Sequence, residues 1–61
     1  MNKQAIAKRE KADGARWVIV SPSPWCEDFF YLRYDLAERA EIKGEGVLMT
    51  IDEYIERIKH D

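Results

Sequence analysis

A chain of 61 residues that is 46% hydrophobic and 36% charged makes one domain at most, with enough apolar side chains to fold rather than stay disordered. No apolar run approaches the ~20 residues of a membrane span, and the single cysteine, Cys26, excludes an internal disulfide. The net charge of −2 hides a basic start (Lys3, Lys8, Arg9, Lys11 and Arg16 against Glu10 and Asp13) and an acidic remainder, with five cations against ten acids over residues 17–61. Phosphate is repelled by an acidic body, which disfavours a general nucleic-acid binder.

Residues 2–12 are polar, alanine-rich and built of good helix formers, with Ile6 the one sizeable apolar side chain. They predict a weak helix with little to bury, so residues 1–14 are expected as a flexible basic arm and 15–61 as a single globular domain. Asp13-Gly14 is a turn signal. The run 16–20, Arg-Trp-Val-Ile-Val, has the β-branched and aromatic content of a strand. It lacks clean apolar–polar alternation, which points to cover on both faces. Ser21-Pro22-Ser23-Pro24 ends it.

Ser23 suits an N-cap and Pro24 the first helical position. At 100° per residue Trp25, Phe29, Leu32, Leu36 and Ala40 fall on one stripe and Cys26, Phe30, Tyr34 and Ala37 on a second. The spacing predicts one long helix over 24–43. The run Phe29 to Tyr34 is also strand-like by propensity, but the persistence of the stripe as far as Ala40 favours helix. Gly44 suits the left-handed position past a helix end. Val47-Leu48-Met49 reads as a brief strand. Thr50 and Glu53 match a capping box, Met49 and Tyr54 a hydrophobic staple, and Ile51, Tyr54, Ile55 and Ile58 the stripe of a terminal helix over 50–60.

These elements predict an α+β fold: helices over 2–12, 24–43 and 50–60 with a two-stranded sheet of 16–20 and 47–49. The two strands are expected to pair with the helices packed on one face, and parallel pairing through the long helix would make a right-handed crossover. The alternative is a mostly α helical hairpin.

Six of the seven aromatics lie between Trp17 and Tyr34. A long helix with two apolar bands has more apolar circumference than one thin partner layer covers, and surplus apolar surface marks an interaction site. Phe30, Tyr31 and Tyr34 are therefore the expected protein-binding residues, facing a second copy in a homodimer or another protein. Lys8, Arg9, Lys11 and Arg16 are the candidate nucleic-acid contacts, weighed against a solvated tail.

Catalytic chemistry finds no constellation. The one histidine, His60, has no nucleophile beside it, and Glu56 with His60 is two metal ligands without a third. No glycine-rich phosphate loop is present, and Cys26 reads as a small hydrophobe. No cofactor, metal or small-molecule substrate is implied.

The order strand, proline-bearing turn, helix, glycine and Thr-capped helix (16–20, 24–43, Gly44 and 50–60) resembles that of ribbon-helix-helix repressors. The likeness is one of element order rather than of residues. It implies a strand that pairs with its twin in a dimer and reads the DNA major groove. The expected function is a non-enzymatic, cytoplasmic protein-binding module, regulatory or accessory, of the kind common in bacteria and phages, acting through an aromatic helix face. The alternative is a DNA-binding regulator of the ribbon-helix-helix kind.

Overall fold

The computed structural model describes residues 2–23 and 27–60, with the main chain alone at His60. The fold is α+β. Its elements in chain order are α1 (Lys3–Ala12), β1 (Trp17–Val20), β2 (Phe29–Tyr31), α2 (Tyr34–Ile42), β3 (Val47–Thr50) and α3 (Ile51–His60). The three strands form one sheet in the order β2-β1-β3. Both neighbours run antiparallel to β1, Trp17 standing opposite Tyr31 on one side and Thr50 on the other. β2 and β3 are thus parallel to each other, with β1 in the gap, and α2 connects them.

β1 explains the layering. Its side chains alternate between the two faces of the sheet. Val18 joins Ala7, Ala15, Met49, Ile51 and Tyr54, with Val20, Phe30, Ile55 and Ile58 packed against them under α1 and α3. Ile19 joins Ala37 and Ala40 of α2, with Trp17, Tyr31 and Leu48 alongside. Val18 and Ile19 are both fully buried, on opposite faces. Each contributes roughly 1.5–3 kcal/mol of apolar burial. The missing alternation in β1 is the mark of a strand covered twice.

The helix expected over 24–43 is corrected by this arrangement. Residues 29–31 are a strand, and the helix begins only at Tyr34. Its expected start at Ser23-Pro24, with Trp25 and Cys26, lies at or beyond the edge of the described residues. Helical spacing would keep Phe30 and Tyr31 on one side of a rod. In the strand, Phe30 reaches the core under α1 and α3 while Tyr31 reaches the core under α2. The extra strand fills the second edge of β1, which a two-stranded sheet would leave open. The sheet is consequently three-stranded, its pairing with β3 is antiparallel, and helices cover both faces instead of one.

Residues 1–14, expected as a flexible arm, contain α1. Asn2 caps it, its side-chain oxygen accepting from Ala5 N–H at 2.7 Å. The helix packs on α3 through Ala7, which is completely buried. A helix with few apolar residues packs here because a small side chain lets the two backbones come close. α1 and α2 end alike. Gly14 and Gly44 adopt positive φ (106° and 79°). The amides of Ala15 and Glu45 return to the carbonyls of Glu10 and Ala40, and those of Gly14 and Gly44 to Lys11 and Glu41. This is the Schellman pattern that a left-handed residue permits. α3 starts with Thr50, whose hydroxyl accepts from Glu53 N–H at 3.1 Å, as the capping box predicts.

Candidate functional site

α2 attaches to the sheet through small side chains. Only Ala37 and Ala40 are buried along it. Its larger apolar side chains point elsewhere: Ile42 is 77% exposed, Tyr34 48% and Leu36 42%. Phe29, at the start of the neighbouring edge strand, and Leu32 are exposed as well. With Ala37 and Ala40 defining the inward direction, 100° per residue puts Ile42 on the outermost side, Tyr34 on one flank and Leu36 on the other.

The expected protein-binding residues are not gathered on one surface. Phe30 is half-buried and meets Tyr54 edge-on, ring centres 5.7 Å apart. Tyr31 is half-buried on the opposite face of the sheet. Tyr34 is the most exposed of the three and meets Trp17 edge-on at 4.8 Å. The neighbouring Glu38 carboxylate, then desolvation and the charge of Glu41, raise the phenol's pKa above the ordinary tyrosine value. Tyr34 therefore sits in a negative field.

Sequence reasoning passed over Ile42 and grouped Leu36 with the inward stripe. Extending the 24–43 register through Phe29 and Leu32 made Leu36 core-facing. Starting the count at Tyr34 makes the Ala37–Ala40 pair the narrow inner face and turns Ile42 out. The signal was the short, small-residue side of a helix whose large apolar residues lie elsewhere.

The basic residues also divide. Lys8 and Arg9 are exposed on α1. Lys11 and Arg16 line a groove of about 480 Å³ with Trp17, Thr50, Ile51 and Asp52, where the end of α1 meets the start of α3. Lys11 Nζ pairs there with the Asp52 carboxylate. Arg16 holds the groove through its main chain, its carbonyl accepting from Ile51 N–H at 2.9 Å. Asp52 thus sets a negative charge beside Lys11 in the groove.

Among the described residues, no three of His, Cys, Asp and Glu come together as a metal-binding set. Cys26 and the side chain of His60 lie outside the described residues. No described helix is long and apolar enough to cross a membrane. Comparison with protein-family models, with curated proteins and with solved structures finds no match.

Proposed function

We propose that this chain is a small non-enzymatic protein-binding module of the cytoplasm, regulatory or accessory, whose binding surface centres on the outer side of α2. One observation carries the reading. α2 gives alanines to its own sheet and leaves Tyr34, Leu36 and Ile42 outside. A helix of nine residues spends its large apolar groups inward unless another surface covers them. Ile42 stands at the middle of this side with Tyr34 and Leu36 on its flanks, and Asp35, Glu38 and Arg39 lie between them, so the apolar anchors of the interface are interspersed with charge.

The test compares the wild type with a Leu36→Ser, Ile42→Ser double variant of unchanged circular dichroism. Co-purification from the native host, followed by sedimentation of the isolated complex, is expected to give a stoichiometric protein partner or a second copy that the variant loses. A wild type that sediments as a monomer and retains no partner refutes the reading. So does a partner that both forms hold equally.

A further inference from the structure

β3 is an edge strand, and its open side is legible from its hydrogen bonds. In an antiparallel ladder successive main-chain donors point alternately toward and away from the neighbouring strand. Ile51 N–H donates to Arg16 of the β1 side at 2.9 Å. Met49, standing opposite Val18, shares that direction, and Leu48 and Thr50 face outward. The outward Leu48 N–H meets the Glu41 carboxylate, Oε2 at 3.3 Å. That separation is at the long, weak end for N–H···O. A side-chain oxygen thus stands where the carbonyl of an added strand would stand.

Glu41 belongs to one flank of α2. Tyr34, Glu38 and Glu41 lie within about 60° of one another around the helix, while Arg39 and Lys43 lie on the far side. The Tyr34 ring touches Trp17, the strand partner of Thr50, and Glu41 reaches Leu48 of β3. The acids therefore overhang β3 on its α2 face. On the opposite face of the same strand Val47 is 57% exposed.

We propose that the β3 edge is a docking site for an extended segment of a partner protein in which basic and apolar residues alternate. The segment adds as a fourth strand beside β3. Its carbonyl replaces the Glu41 carboxylate on Leu48 N–H, and Glu41, once released, pairs with a lysine or arginine of the incoming strand, as does Glu38. Its intervening apolar side chains fall on the Val47 side, because side chains of a strand alternate. A second copy of this chain is the less fitting occupant. β3 paired with β3 brings the Glu41 flanks of both copies together, and like charges across a pair oppose it. The proposal rests on the protein-binding reading but uses the β3 edge rather than Leu36 and Ile42, so each can fail alone.

The probe is a blocked ten-residue peptide of alternating Lys and Val, titrated into the isotopically labelled chain and followed by amide shifts and hydrogen exchange. An alternating Glu and Val peptide is the control. The expected result is binding of the lysine peptide, with shifts and slowed exchange at Leu48 and Thr50. In a Glu38→Gln, Glu41→Gln variant the affinity falls about fivefold, the scale of two partly exposed ion pairs, while the glutamine carbonyl still caps Leu48. Four results overturn the proposal: no binding of either peptide, as expected if Glu41 only guards the edge; equal binding of the acidic peptide; protection centred on Phe30 in β2; or protection of Leu48 and Thr50 that grows with protein concentration in the absence of peptide.

Discussion

The Tyr54 hydroxyl donates to Oδ2 of Asp28 at 2.5 Å, joining α3 to the segment that leads into β2. The Asp28 side chain is 6% exposed, with Lys3 Nζ 3.9 Å away, and its other oxygen accepts from Ser21 N–H at 3.0 Å. One carboxylate thereby ties the end of β1, the start of β2 and α3. Burial, then the hydrogen bond and charge of Asp28, raise the Tyr54 pKa above its ordinary value. The folded chain holds this proton to higher pH than the unfolded chain does. The contribution is fully present below about pH 10, where both states are protonated, and falls as pH rises beyond it, because the unfolded state releases the proton first. Urea unfolding at about pH 8 and about pH 11 is expected to show a loss in the wild type that is smaller in Tyr54→Phe. At neutral pH the same variant costs about 1–2 kcal/mol, since it leaves a buried acceptor short of a donor.

Gly46 and Gly44 differ in what a methyl group would meet. A Cβ on Gly46 would lie 2.3 Å from the Val20 carbonyl oxygen and 2.8 Å from Ile19 Cγ2. Main chain cannot swing aside there without unpairing the upper end of β1 and β3. A Cβ on Gly44 meets nothing within 4 Å and suffers only the positive φ. Gly46→Ala is expected to cost about 3 kcal/mol and Gly44→Ala about 1 kcal/mol. Each kcal/mol lowers the Tm of a domain this size by roughly 4–8 °C, so a melting curve of each variant separates them. Equal losses would mean that β3 does not enter the sheet beside Val20.

Local chemistry made much of this fold readable. Gly44 past a helix, Thr50 as a cap, the α3 stripe and the double cover of β1 all follow from neighbouring residues. The α+β class follows from them. The strand Phe29–Tyr31 did not, because large apolar residues at 29, 30 and 32 satisfy helical and extended spacing alike. What decides between them is the vacant second edge of β1, a partner distant in sequence. α1 was underrated for a similar reason: Ala7 is a weak hydrophobe whose worth lies in letting α1 approach α3. The three expected binding residues are separated by register. Phe30 and Tyr31 belong to the two cores because the chain is extended there, and only Tyr34 of the expected trio stands on a helix.

Close approach also governs α2, where Ala37 is fully buried and Ala40 nearly so against Ile19. The helix sits as low on the sheet as methyl groups allow. Ala37→Leu inserts three carbons into that contact, and overpacking of this kind costs about 1–3 kcal/mol. Urea denaturation is expected to register the loss. Because the added side chain lifts α2, the Trp17–Tyr34 contact of 4.8 Å opens too, and the ring-current shifts of both residues move toward free values.

The opposite side of the same helix should behave in the opposite way. Leu36 and Ile42 are exposed, and the core cluster beneath α2 contains neither. Ile42 lies almost diametrically opposite the alanine pair, so nothing of this chain is unpacked when it is shortened. Ile42→Ser and Leu36→Ser are each expected to shift stability by no more than about 0.5 kcal/mol, the range of surface substitutions, while Ala37→Leu one turn away costs several times that. Thermal melts of the three variants measured together check the contrast. If Ile42→Ser destabilises as much as Ala37→Leu, its side chain belongs to the fold and the apolar outer surface loses its most exposed member. If it is silent, retention of a large aliphatic group in water has no account within the fold, and the binding surface on α2 supplies one.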